Sequence, residues 1–204
     1  MSVDFANSET KKNLMRAFAG ESQASMRYTF AASEAQRQKN HVVNAIFTFT
    51  ANQEKQHAKR FYKFLNDLNG ETITIDGTYP VNLSDDLVEL LAAAEHNEFE
   101  EHDDIYQAFG KKAEEEGFPQ IASVFLMIAE IEKCHGNRFG YMKKLIEEDK
   151  LFISGVKTGW MCLNCGFVVE NSTMAPKLCP VCDHPQGYFI RLELAPYEII
   201  PKES

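Results

Sequence analysis

Basic residues are in deficit. The 204-residue chain carries 21 Lys and Arg against 30 Asp and Glu, a formal net charge of −9. That balance argues against nucleic acid and anionic membrane as partners. Long apolar runs are missing too: no stretch approaches the roughly 18–20 residues that span a bilayer. The opening MSVDFANSETKKN has no apolar core of the kind a secretory leader carries. The expectation is therefore a cytoplasmic protein. Cysteine is scarce in the first 160 residues, where Cys134 stands alone and reads as a small buried hydrophobe. What is present supports folding: 44% hydrophobic and 25% charged residues, enough for one mid-sized domain and a smaller one.

Breaks in the pattern divide the chain. Gly70, Gly77 and Pro80 interrupt it at 70–82, Gly117 and Pro119 interrupt it again, and Asn40 suits a turn. Four helices are predicted, over 7–38, 40–69, 83–116 and 118–149. The short first and last connections make each flanking pair antiparallel. The longer middle one has room to cross the bundle. From about 153 the sequence turns rich in Gly, Pro and aromatics, with short alternating runs. That reads as a small strand-and-turn module with too little apolar mass for its own core, so a metal staple is expected. The fold class is mainly α, a four-helix bundle over 1–150 with a small β module over 151–204.

Helical spacing places charge inside apolar stripes. In steps of three and four, the second helix gives Phe47, Thr50, Glu54, His57, Phe61, Phe64 and Leu68. The fourth gives Ile121, Phe125, Ile128, Glu132, His135, Phe139, Met142 and Ile146. The first gives Leu14, Phe18, Glu21, Ser25 and Tyr28. A lone buried carboxylate costs several kcal/mol or shifts its pKa until neutral. Three helices carrying one at mid-length call for a counter-charge, and metal cations supply it. Carboxylates with imidazoles at i, i+3 suit iron, manganese or zinc, the arrangement of ferritin-like carboxylate bundles.

The third helix offers too many acids: Glu95, Glu98, Glu100 and Glu101. Glu54 follows Glu21 by 33 positions and Glu132 follows Glu98 by 34, which favours Glu98. The stripe Leu87, Leu91, Ala94, Glu98, Glu101, Ile105 adds Glu101 one turn on. The pair Glu95/Glu98 stays open as a rival, and His96 and His102 are expected to face solvent.

Cys162-x-x-Cys165 and Cys179-x-x-Cys182, thirteen residues apart, form a four-thiolate metal pattern. Tetrahedral sulfur takes iron or zinc, and spacing does not choose between them. CLNCG and CPVC resemble the two knuckles of rubredoxin. Trp160, Phe167, Tyr188 and Phe189 stand ready to pack around the site and exclude water, which leans toward iron.

Taken together, AFAGESQASMRYTF, NQEKQHAKRF, EFEEHDDIYQAF, IAEIEKCHGNRF and the two knuckles resemble the rubrerythrin family over nearly the whole chain. The alignment through Glu98, Tyr106 and His135 runs without gaps and favours Glu98/Glu101. The resemblance implies a ferritin-like bundle with a non-haem di-iron centre that reduces hydrogen peroxide to water. It implies Glu54 and Glu132 as bridging ligands, Glu21 and Glu98 as terminal ligands, and His135 on the second iron. The first iron would exchange His57 for Glu101 with oxidation state. Tyr28 and Tyr106 would deliver protons or hold ligand carboxylates. A mononuclear Fe(Cys)4 centre would relay electrons from a reductase or small electron-transfer protein, within a homodimer or larger homo-oligomer. Two other readings are an iron-handling, ferritin-like ferroxidase and a structural protein with a zinc ribbon.

Overall fold

The computed structural model describes residues 3–196. Ser8 caps α1 (Glu9–Arg37), its hydroxyl accepting from Lys11 N. Asn40 caps α2 (His41–Lys63) by accepting from Val43 N, so the turn expected at this residue is a helix start. The predicted second helix ends earlier than 69, with a separate 3₁₀ turn at Asn66–Leu68. The predicted third helix is α3 (Leu87–Glu100), a π turn over Glu101–Ile105, and α4 (Tyr106–Glu116). Gly117, at φ 89°, ends α4, and Pro119 opens α5 (Pro119–Glu147).

Two apolar clusters fill the bundle. One joins Leu14, Ala17, Phe61, Leu65, Tyr106, Ile121 and Phe125. The other joins Ala24, Tyr28, Ala31 and Ala35 of α1, Val42, Phe47 and Ala51 of α2, Leu87 and Leu91 of α3, and Phe139, Met142 and Leu145 of α5. Helix α2 therefore ends at one pole and α3 begins at the other. The segment between them has to run the length of the bundle, as its length suggested. Arg16 pins it there, with Nη2 on Asp76 Oδ1 at 2.6 Å.

The π turn re-phases the third helical stretch. Leu87, Leu91, Ala94 and Glu98 point inward as the stripe predicts, but then Tyr106, Gly110 and Ala113 are buried. One inserted residue moves Ile105 partly out of the core and Tyr106 into it.

The C-terminal part is a three-stranded antiparallel sheet in the order β2-β1-β3, from β1 (Ile153–Cys162), β2 (Val168–Met174) and β3 (Phe189–Arg191). Trp160, Cys162, Ala175, Cys179 and Phe189 form its small core, with Phe167 and Tyr188 against it. Leu151, Met161 and Ile190 belong instead to the bundle cluster. His41 at the start of α2 stacks on Tyr188, ring centroids 3.6 Å apart. The small module thus rests on one pole of the bundle.

Candidate metal centre

Between the two apolar clusters lies a polar layer. Glu21, Glu54, His57, Glu98, Glu132 and His135 are all buried. Helix α1 supplies Glu21, α2 supplies Glu54 and His57, α3 supplies Glu98, and α5 supplies Glu132 and His135. They form two overlapping groups, Glu21/Glu54/His57/Glu132 and Glu54/Glu98/Glu132/His135, each with one potential ligand atom per residue within 4.8 Å of the others. Glu54 and Glu132 belong to both.

The geometry is nearly two-fold. His57 Nδ1 lies 3.0 Å from Glu54 Oε2, 2.9 Å from Glu132 Oε1 and 3.6 Å from Glu21 Oε2. His135 Nδ1 lies 2.8 Å from Glu54 Oε1, 2.8 Å from Glu132 Oε2 and 3.4 Å from Glu98 Oε2. Each shared carboxylate turns one oxygen to each side. The two imidazole planes are 16° from parallel at 5.7 Å.

These atoms converge without bonding well to one another. Glu21 Oε2, Glu54 Oε1, Glu98 Oε2, both oxygens of Glu132 and His135 Nδ1 are buried with no hydrogen-bond partner. At about 1–3 kcal/mol each, six such atoms cost on the order of 10 kcal/mol. That is comparable with the whole stability of a domain, about 5–15 kcal/mol. Lone pairs aimed at two common points are what a pair of cations requires, so the donor set fits a di-iron pair.

The protein's own charges respond to the crowding. Burial, then the charge of Glu54, pushes Glu98 up to about 8. Burial and Glu132 raise Glu21 well above the carboxylate range. Burial works to raise Glu54, but the imidazoles of His135 and His57 beside it outweigh that and hold it down to about 2. His135 rises to about 12, burial being outweighed by Glu132, Glu54 and Glu98. His57 is raised in the same way.

Outside the layer, Tyr28 O–H donates to Glu98 and Tyr106 O–H donates to Glu21. Burial and those same carboxylates raise both phenols, which keeps them donors. Glu101 is half-buried, in the π turn, and outside both groups. It lines a cavity with Tyr106. Desolvation, then Glu21 and Glu98, raises its carboxyl well above the ordinary range. The rival Glu95 reaches away from the layer to Lys143. His96 is exposed as expected, whereas His102 is mostly covered, pairing with Asp103 and Glu130. Cys134 is exposed, not buried, because it lies two positions, about 200° around α5, from the inward-facing Glu132.

Sequence reasoning missed a support for His135. Its Nε2 lies 3.1 Å from Gln53 Oε1, which also accepts from Arg138 at 3.0 Å, and Arg138 donates to Thr50 Oγ1 at 2.9 Å. Donation from Nε2 leaves Nδ1 toward the carboxylates. The available signal was Arg138 one turn beyond His135.

In the small module, the four cysteine sulfurs lie within 4.8 Å of one another. Cys162 and Cys182 are 3.8 Å apart, and Cys165 and Cys179 are 3.6 Å apart. A tetrahedron with metal–sulfur bonds of about 2.3 Å has edges of about 3.8 Å. These separations fit a single four-thiolate ion and are far too long for disulfides.

Comparison with known proteins agrees with both sites. The family model described as rubrerythrin matches residues 12–143, and the one described as rubrerythrin, rubredoxin-like domain matches residues 160–190. Rubrerythrin of Clostridium perfringens is 47% identical over 182 residues, covering 89% of this chain and 93% of that protein. Rubrerythrin of Porphyromonas gingivalis is 44% identical, covering 93% of this chain and 92% of that protein. A solved structure of nigerythrin in a mixed-valence state superposes with a TM-score of 0.60 at 25% identity, covering 93% of this chain and 91% of that one. The chain belongs to the rubrerythrin family, an oxidoreductase family that joins a ferritin-like bundle with a di-iron type of carboxylate–histidine site to a rubredoxin-like four-cysteine module.

Proposed function

We propose that the protein is a peroxidase that reduces hydrogen peroxide to water in defence against oxidative stress, with electrons entering through iron on Cys162, Cys165, Cys179 and Cys182. The observation that carries this reading is the pairing, in one chain, of the two-ion carboxylate–histidine layer with the four-thiolate site. Iron storage alone has no use for a dedicated electron entry. In this reading Glu54 and Glu132 would be shared by the two ions, with Glu21 and His57 holding one and Glu98 and His135 holding the other. Residues 1–150 form the catalytic unit and 151–204 the electron-entry unit, of which 197–204 lie outside the described residues. The working form is a cytoplasmic homodimer or larger assembly in which the small module of one chain serves its neighbour's bundle, supplied by a reductase or small electron-transfer protein.

When loaded, the pair of ions supplies two electrons and Lewis acidity. The chain's residues supply the rest. The apolar clusters above and below exclude water from the layer. Tyr28 and Tyr106 hold Glu98 and Glu21 by donating to them. Glu101, its carboxyl raised by burial, stands beside Tyr106 on the cavity wall. In this reading its carboxyl would give a proton to a departing peroxide oxygen and, as a carboxylate, would be the alternative to His57 that an oxidised, harder ion prefers. The reaction takes two electrons and two protons per H2O2 and yields two waters.

Stopped-flow mixing of reduced protein with peroxide and with oxygen tests this. Peroxide is expected to reoxidise the protein faster, and Glu101→Ala to slow the peroxide reaction about 10²-fold while both bundle ions stay bound. Faster reoxidation by oxygen overturns the peroxidase assignment. Loss of an ion in Glu101→Ala makes Glu101 a plain structural ligand.

A further inference from the structure

The cavity that Glu101 and Tyr106 line is larger than hydrogen peroxide needs. It lies between α1, the π turn and the segment that runs from α2 to α3, and its volume is about 210 Å³. A cavity of roughly 150 Å³ holds benzene, whereas one water needs only about 10–15 Å³. Drug-sized ligands need at least about 300 Å³. The space therefore suits one small organic group.

Its walls say which kind. Gly20, Tyr79, Pro80, Ile105 and Phe109 give it a largely apolar lining. The two guanidiniums on its rim are engaged elsewhere. Arg16 binds Glu9 and Asp76, and Arg27 binds Gln23 and Asn82. Glu100 stands in the same wall and opposes an anion. The occupant is neutral.

The cavity is built deliberately into the chain. Tyr79 roofs it, with its O–H donating to Arg16 O at 3.2 Å. The ring folds back over Gly77, where a Cβ would sit 2.9 Å from its atoms. On the facing helix, Gly20 leaves the room: a Cβ there would meet Tyr79 at an ordinary 3.7 Å, and a longer side chain would enter the cavity. The opposite wall is Tyr106, fully buried, whose phenol donates to Glu21 of the carboxylate layer. One side chain separates the cavity from the redox site.

We propose that the protein also reduces small neutral organic hydroperoxides, ROOH, whose R group, up to about the size of a phenyl-substituted alkyl, occupies this cavity. The proposal rests on the peroxidase reading and extends its substrate class. The O–O bond breaks, ROOH takes the same two electrons together with two protons, and the products are ROH and water. Tyr79 and Gly20 set the size of R that enters.

Two measurements test it, one of which needs no turnover. Equilibrium dialysis of the protein as isolated against 2-phenyl-2-propanol, the alcohol product of cumene hydroperoxide, reads the cavity directly. Binding at millimolar concentration or tighter is expected, weakened at least tenfold by Gly20→Leu, which fills the space. Tyr79→Ala, outside any helix or strand, removes the roof together with its hydrogen bond to Arg16 O and should weaken it too. In turnover, the ratio of kcat/KM for cumene hydroperoxide to that for hydrogen peroxide should fall at least tenfold in Gly20→Leu. No binding of the alcohol to the unaltered protein, or equal effects of Gly20→Leu on both peroxides, overturns the proposal. If the alcohol binds and Gly20→Leu abolishes binding while hydrogen peroxide fails to oxidise the reduced protein, the cavity assignment stands and the peroxidase reading falls.

Discussion

Chelator-stripped protein should lose melting temperature steeply as pH rises from 5 to 8, while the metal-loaded protein stays nearly level. Glu98 sits at about 8 in the folded chain against 4.5 as its ordinary value. A carboxyl whose folded pKa is raised binds its proton more tightly in the native state. Stability is then full below about 4.5 and falls as pH rises toward 8. Glu21 and Glu101 are raised in the same direction. His135, raised to about 12 from 6.5, contributes stability that is full below 6.5 and is lost as pH rises through 12. Glu54, lowered to about 2, has the opposite sense, but its loss lies below pH 4.5 and leaves the window from 5 to 8 untouched. Each group costs about 1.4 kcal/mol per pH unit across its own window, so Glu98 alone accounts for on the order of 4 kcal/mol. For a chain of this size that corresponds to roughly 10–15 °C. Bound cations replace the protons and remove the slope. Calorimetric melts at pH 5, 6, 7 and 8, with and without metal, measure it. Parallel curves for the two forms would mean that the layer is neutralised by something other than ions.

The second large effect is expected at Cys179. It is fully buried in the small module's core, with its sulfur 3.6 Å from that of Cys165. Cys179→Ser should abolish the visible thiolate-to-iron absorption and drop reductase-linked peroxide turnover to background. Chemically pre-reduced Cys179→Ser protein should still consume one round of peroxide, because the bundle layer is built from other residues. Absorbance and single-turnover measurements on one preparation separate these outcomes. Undiminished steady turnover breaks the proposed electron route, and a colourless unaltered protein points to a zinc ribbon.

Much of the site is legible in the sequence because helical periodicity is a strict rule. Glu54, His57, Glu132 and His135 occupy apolar stripes at steps of three and four, and the structure brings them into one layer. Glu21 followed from the same stepping, Glu98 only once its 34-residue offset from Glu132 was added, and Glu95 separates from them by turning to Lys143. The cysteine knuckles were legible because spacing alone restricts how four sulfurs can meet. The π turn was not, since a one-residue insertion at Glu101–Ile105 leaves no mark in composition and shows only as Tyr106 replacing Ile105 inside. The cavity under Tyr79 was hidden for a different reason. It depends on a long segment without regular structure, where no period relates Gly77 and Tyr79 to Gly20 across the chain. The Gln53–Arg138 support was missed because polar residues on a helix flank look alike whether they face water or a ligand histidine.

The most direct test is a metal count on protein purified without chelator, alongside a Glu54→Ala/Glu132→Ala double variant checked for folding by its helical circular dichroism. If the buried acids and imidazoles exist to surround a pair of cations, the unaltered chain carries three metal ions, two in the bundle and one on the cysteines, and the folded double variant keeps only the last. An unaltered chain with a single ion, or a double variant that retains all three, contradicts the account.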